Sequence, residues 1–404
     1  MMFRTLYRGV EVGKGKALGI AANQYSNIGK SPHRAMGSSV ADGEVLVEQV
    51  GPCAVATLNR PKVLNALNTN MIQRLMGHYV DWNSSEKQVK CIIVKGGGGK
   101  AFCAGGDVKA IVQEGMKGHH GEAENFFKLE YRLDYYISQM QKPYISIMDG
   151  VTMGGGVGLA MNGTFRIATE RTLFAMPECV IGLFPDVGAS RFLNTLPSGL
   201  GMYLALTGAR LKGVEVKEAG LATHYIPSKL ISQVMEKIGC LGDSAIDMSR
   251  IDEVLKGFEE RPEKEALQDI RDRFKVMSSC FLKDSLREVE AALEKQGGHY
   301  KDVAQDALSA MNKSSPLSLV MTLEEMKRGK HMSLRECLEM EYSMAQFCSR
   351  DKGDFFEGVR ALLIDKDKNP KWKYPSIQEV PESAIEECFS RMPDTLFSNA
   401  PPNS

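Results

Sequence analysis

Three carboxylates and two glycine-rich loops are the residues of this chain whose types and spacing could do chemistry. The first loop reads Ala101-Phe102-Cys103-Ala104-Gly105-Gly106-Asp107, between a strand pattern and a helix pattern. Asp107 suits the helix N-cap, and the two glycines let bare backbone approach a ligand. The second loop is Met153-Gly154-Gly155-Gly156-Val157-Gly158, again between a strand and an apolar helical stretch. Two such loops can each aim one N–H at the same developing oxyanion. They would equally serve as tight turns at a crowded strand–helix junction. Glu130 shares a helical stripe with Phe126, Leu133 and Ile137, and a carboxylate in an apolar stripe is a candidate for a functional role. Rotating that stripe by one residue substitutes Phe127 and Tyr131 and exposes Glu130. Glu178 and Asp186 follow Met176-Pro177 and Phe184-Pro185 in an otherwise apolar run. The plain readings are a salt bridge from Glu178 to Arg166 or Arg171, and a helix cap at Asp186.

The elements that must position these groups fall into two textures. Segments 44–50 and 53–58 read as a β-hairpin across Gly51-Pro52. A helix follows Asn68, with Met71, Ile72, Leu75, Met76, Tyr79 and Val80 on one face. Short apolar strands are expected at 91–94, 144–148, 165–168 and 173–175. Strand, glycine-rich turn and helix recur, which argues for an α/β or α+β core of about two hundred residues. The four glycines inside 95–100 read as a flexible connector rather than a phosphate cradle. Beyond about residue 228 the strand signals stop. Leu282, Leu286, Val289 and Leu293 follow a helical period, and Ser333 with Glu336 makes a capping box. The expected division is a basic leader over 1–41, a core over 42–227, a helical region over 228–375 and an irregular tail over 376–404.

Composition excludes several functions. Of 404 residues, 50 are basic and 50 acidic, so no polyanion-binding stripe dominates and nucleic-acid binding is not expected. No apolar stretch of membrane-spanning length occurs. The nine cysteines include no CxxC pair, so neither a metal nor a disulfide framework is expected. The GxSxG, HExxH and GxGxxG patterns are absent. Residues 1–40 hold six basic side chains against Glu11 alone, as a mitochondrial transit peptide does. A basic tail without an address would share that composition.

At these residues the sequence resembles the crotonase (enoyl-CoA hydratase/isomerase) superfamily, and within it the 3-hydroxyisobutyryl-CoA hydrolase group. The matching runs are Leu58-Asn59-Arg60-Pro61, Leu64-Asn65-Ala66-Leu67, Phe102-Cys103-Ala104-Gly105-Gly106-Asp107, Asp149-Gly150-Val151-Thr152-Met153-Gly154-Gly155-Gly156-Val157-Gly158, Phe174-Ala175-Met176-Pro177-Glu178 and Ile181-Gly182-Leu183-Phe184-Pro185-Asp186-Val187-Gly188. Further runs are Ala205-Leu206-Thr207-Gly208, Phe356-Glu357-Gly358-Val359-Arg360-Ala361, Ile364-Asp365-Lys366-Asp367 and Pro370-Lys371-Trp372.

The resemblance implies an α/β spiral of ββα units with a helical C-terminal region beside it. It implies hydrolysis of a short 3-hydroxyacyl-CoA thioester, chiefly 3-hydroxyisobutyryl-CoA, in the mitochondrial matrix as a step of valine degradation. Gly106 and Gly155 would form the oxyanion hole, Glu178 and Asp186 would be catalytic, and Glu130 would help bind the acyl group. Residues 60–67 would lie along the coenzyme A arm, and no cofactor beyond that carried coenzyme is implied. Typical hydratases of the superfamily carry a glutamate two residues after the glycine triplet, where this chain has Gly158. That difference disfavours double-bond hydration or isomerisation, the alternative activity. A homo-oligomer, and association with the mitochondrial ribosome as a structural component of its small subunit, are left open.

Overall fold

The computed structural model describes residues 43–84, 88–119, 121–350, 353–390 and 396–397. The expected basic leader therefore lies outside the described residues. Strands β1 (Val45–Val50) and β2 (Cys53–Leu58) form the antiparallel hairpin across Gly51. Helix α1 (Thr69–Asn83) is capped by Asn68, whose side chain accepts from the Met71 N–H, and it buries Met71, Ile72, Leu75, Met76 and Tyr79. Strands β3 (Cys91–Gly96) and β4 (Ala101–Cys103) lead to α2 (Val108–Gly115) and the long α3 (Gly121–Ser138). Then come β5 (Tyr144–Met148), β6 (Val151–Met153), α4 (Gly155–Met161), β7 (Phe165–Ala168) and β8 (Leu173–Ala175). Helix α5 (Leu200–Thr207), β9 (Leu211–Lys212) and β10 (His224–Tyr225) complete the strand-bearing half.

The strands form two mixed sheets, ordered β1-β2-β3-β5-β7-β10 and β4-β6-β8-β9. Strands β2, β3 and β5 lie in parallel register and are buried on both faces, which is why they read as near-continuous apolar runs. Alternate residues serve different cores. Cys53, Val55, Cys91, Ile93, Ile145 and Ile147 face one cluster, while Ala56, Leu58, Ile92 and Val94 face the other. The first cluster is closed by α6 (Ile231–Gly239) and α7 (Met248–Phe258), through Val234, Ile238, Ile251 and Leu255.

The remaining elements are helical: α8 (Lys264–Phe281), α9 (Leu286–Lys295), α10 (Lys301–Lys313), α11 (Pro316–Gly329), α12 (Leu334–Ser349), α13 (Phe355–Val359) and α14 (Glu382–Phe389). A turn of π-helix, Arg360–Ile364, extends α13. Helix α12 packs on α3, so the C-terminal half reaches the core of the first half. The Ser333–Glu336 capping box is present at α12. Two expectations need correction. Leu282 lies beyond the end of α8 and is exposed, because Ser285 starts α9 with its own capping box. The tail expected to be irregular contains α14; proline stands at its N-cap, ahead of the first turn, where a missing N–H costs nothing.

The glycine run connects β3 to β4, as expected. Gly96 has no room for a side chain, since a Cβ there would come 2.1 Å from the Ala101 carbonyl oxygen. The turn is pinned by Asn65, which is fully buried with φ 58°. Its amide donates to the Gly97 and Ala101 carbonyls at 2.9 and 2.8 Å and accepts from the Arg60 N–H at 2.9 Å. Asn65 thus clamps the turn that connects β3 to β4. Asn65→Ala strands three backbone groups, and the expected cost is about 3 kcal/mol, read as a lower midpoint in denaturant unfolding.

Candidate active site

Strands β4 and β6 run parallel and adjacent, so the loops that leave their C-terminal ends come side by side. The Leu67 backbone straps the first loop, with its N–H on the Gly105 carbonyl and its carbonyl accepting from Asp107. Asp107 caps α2 as expected, and its other oxygen holds Arg60 at 2.9 Å. Gly155 opens α4, where an N–H has no partner inside the helix. Among the described residues, neither the Gly106 nor the Gly155 N–H donates to a backbone carbonyl. A Cβ built on Gly155 would lie 3.4 Å from the Gly106 nitrogen, so the two N–H groups share one small space.

That space opens into a cavity of about 270 Å³. Its wall includes both glycine loops, Phe126, Phe127, Glu130, Glu178 and Asp186, with Leu362 and Leu363 of the π-turn across from them. The sequence-derived site residues therefore all meet. Glu130 faces the cavity from α3, and its Oε1 would sit 2.0 Å from a Gly155 Cβ. Glu178 begins the 3-10 segment Glu178–Ile181, and its Oε1 would lie 2.9 Å from a Gly154 Cβ. Neither plain reading of these acids holds. Arg171 pairs with Asp149, and the Arg166 Nε donates to the Leu221 carbonyl, leaving Glu178 in the cavity. Gly188, not Asp186, stands at the cap of the short helix Ala189–Phe192. Asp186 instead accepts a hydrogen bond from the Tyr131 hydroxyl at 2.8 Å.

Electrostatics sorts the three acids. All are at least nine-tenths buried. Burial raises Asp186 to about 6, and the Tyr131 hydroxyl acts against that rise. Burial lifts Glu178 well above the usual carboxylate range, and the Asp186 charge lifts it further. Glu130 is raised by burial and then by Asp186, Asp134 and Glu178. Among the described residues, one Glu130 oxygen and one Glu178 oxygen have no hydrogen-bond partner, as have both oxygens of Asp134 and of Glu325 behind them. Asp186 thus ionises first and holds a proton on its neighbours.

Tyr131 is the site residue that the periodicity argument missed. Its donation favours ionised Asp186, so Tyr131→Phe raises the proton affinity of that acid. The expected result is an inflection of kcat/KM belonging to Asp186 displaced from about 6 to higher pH, below the rise that Glu178 controls. A pH profile of the variant reads the displacement.

Behind the cavity stand three further buried acids, Asp134, Glu325 and Glu341. Asp134 abuts Gly158: a Cβ there would be 2.7 Å from its Oδ2 and 2.7 Å from the Val187 Cβ. Glu341 accepts from the backbone of Gly188 and Ser190 and from the Ser190 hydroxyl, and burial raises it to about 8. No group of described His, Cys, Asp and Glu side chains is arranged to hold a metal ion. A larger hollow of about 450 Å³ between α6 and α7 gathers no comparable chemistry, since its Arg250 pairs with Glu253 at 2.9 Å.

Comparison with known proteins follows the same residues. The model of the enoyl-CoA hydratase/isomerase family matches residues 53–389. The chain is 42% identical over 362 residues to the mitochondrial 3-hydroxyisobutyryl-CoA hydrolase of Danio rerio, covering 89% of this chain and 93% of that protein. It is 40% identical over 357 residues to 3-hydroxyisobutyryl-CoA hydrolase 1 of Arabidopsis thaliana, covering 87% and 93%. Among solved structures, a carnitinyl-CoA dehydratase from Mycobacterium thermoresistibile superposes with a TM-score of 0.79 at 33% identity, covering 89% of this chain and all of that one.

Proposed function

The chain belongs to the enoyl-CoA hydratase/isomerase family, with its crotonase-like α/β fold and helical C-terminal region, and on that premise we propose that it hydrolyses a short 3-hydroxyacyl-CoA thioester, chiefly 3-hydroxyisobutyryl-CoA. The observation that carries this reading is the convergence of Glu130, Glu178 and Asp186 on one cavity beside the paired Gly106 and Gly155 N–H groups. The two hydrolases at 42% and 40% identity support the choice of substrate.

In this mechanism the thioester carbonyl oxygen lies between the Gly106 and Gly155 N–H groups. Each donor contributes about 3–4 kcal/mol as charge develops on that oxygen. Glu178, once ionised, either attacks the carbonyl carbon or takes a proton from a water that does. The carbon–sulfur bond breaks, and the coenzyme A sulfur leaves as thiolate and gains a proton. In the first route water then opens the mixed anhydride and restores Glu178. Asp186 and Glu130 bind the 3-hydroxyl group. Residues 60–67, with Val63 and Leu64 exposed, offer a surface for the pantetheine arm.

Double-bond hydration is the weaker reading because residue 158 supplies no acid, and the room beside it is taken by Asp134 and Val187. The mitochondrial matrix is the proposed location, supported by the acid-poor, basic residues 1–40 and by the similarity to the mitochondrial hydrolase of Danio rerio. The discriminating experiment offers the full chain 3-hydroxyisobutyryl-CoA and crotonyl-CoA separately. Free thiol from the first, with the second left unconverted, supports hydrolysis. Conversion of crotonyl-CoA without thiol release would replace it with hydration.

A further inference from the structure

The turn that carries Asp186 is held from far along the chain. After Asp186 come Val187 at φ 58° and Gly188 at φ 87°, two successive residues in the left-handed region. A β-branched side chain resists that conformation, which persists only where the surroundings over-determine it. The Glu341 carboxylate supplies the constraint from α12. It accepts from the Gly188 N–H at 2.7 Å, the Ser190 N–H at 3.1 Å and the Ser190 hydroxyl at 2.6 Å. These contacts join residues 153 and 151 positions apart. The neighbouring Tyr342 meets the Tyr131 ring edge-on at 6.4 Å, and Tyr131 donates to Asp186. One turn of α12 therefore touches both the backbone behind Asp186 and the donor in front of it.

The mechanism above gives Glu341 no chemical step, and a fully buried acid is a costly way to fill space. We propose that Glu341 is a positioning residue: it locks the turn 186–190 so that the Asp186 carboxylate meets the Tyr131 hydroxyl and faces the acyl cavity. This inference rests on the hydrolase reading of the site. It distinguishes Glu341 from an acid that merely supports the fold, because a positioning residue acts only through Asp186.

The test is a double-mutant cycle on the full chain. Glu341→Gln is made in the parent and in an Asp186→Asn background, and kcat and KM for 3-hydroxyisobutyryl-CoA are measured by thiol release, with excess enzyme where turnover is slow. The amide nitrogen of glutamine would face a backbone N–H, so the turn loses part of its lock. The expected result is a fall in kcat of about tenfold or more in the parent, KM within about threefold, and a change under about twofold in the Asp186→Asn background. Equal losses in both backgrounds, or no loss in the parent, overturn the proposal. If Glu341→Gln does not fold, Ser190→Ala removes only the hydroxyl contact. A loss of about threefold confined to the chain bearing Asp186 then supports the role, and equal losses or none refute it. A parent that releases no thiol is a different failure: it removes the hydrolase reading, and this inference goes with it.

Discussion

Glu178→Gln is expected to lower kcat for thiol release at least about a hundredfold while leaving KM within a few-fold. The glutamine is isosteric and keeps the cavity filled, so the loss isolates the acid rather than the packing. Glutamine can neither attack the thioester nor accept the proton of water. Burial and the Asp186 charge hold the Glu178 carboxyl above its ordinary range, so the parent rate should rise with pH beyond the point where an exposed carboxylate would be fully ionised. Single turnover in oxygen-18 water tests the anhydride route through the parent Glu178. Label found in the Glu178 side chain requires the anhydride. Label confined to the released hydroxy acid fits direct attack by water, or opening of the anhydride at the acyl carbon.

Gly155→Ala is expected to cost about a hundredfold to a thousandfold in kcat. The new methyl would fall 2.0 Å from Glu130 Oε1 and 3.4 Å from the Gly106 nitrogen. Glu130 must swing away, and the space between the two N–H groups is narrowed at the place where the carbonyl oxygen would sit. Gly77→Ala is the control. A methyl there, on α1, meets no atom within 4 Å, and alanine is the better helix former. Activity should be unchanged and the unfolding midpoint equal or slightly higher. Similar losses at both positions would point to general fragility in place of a specific oxyanion site.

The parts of the site that could be read in the sequence are those encoded over short distances. Each glycine loop sits between a strand and a helix, and Asp107 announces its cap three residues before the N–H that it binds. The apolar spacing of α1 names its buried face because the opposite face meets solvent. Helix α3 breaks that logic. It buries Phe126, Phe127, Glu130, Tyr131, Leu133, Asp134, Tyr136 and Ile137, a face wide enough that no stripe separates Glu130 from Tyr131. The spacing of Asp134, one turn beyond Glu130, was the available signal. Glu341 offered none, since its partners lie about 150 residues upstream and the packing of α12 against the short helix Ala189–Phe192 brings them together. The clamp on the Gly96–Gly99 turn was hidden for a related reason: Asn65 lies on another segment.

The three acids claim more than thioester cleavage, for they also claim that the 3-hydroxyl is read. A site built to bond a hydroxyl leaves buried polar atoms unpaired when that group is missing, and so rejects the analogue strongly. The most direct measurement is therefore kcat/KM for thiol release by the full chain from 3-hydroxyisobutyryl-CoA and from isobutyryl-CoA, side by side. The expected result is ready release from the hydroxylated substrate with a preference of at least about a hundredfold. Equal rates, or no release from the hydroxylated thioester, would contradict the proposed function.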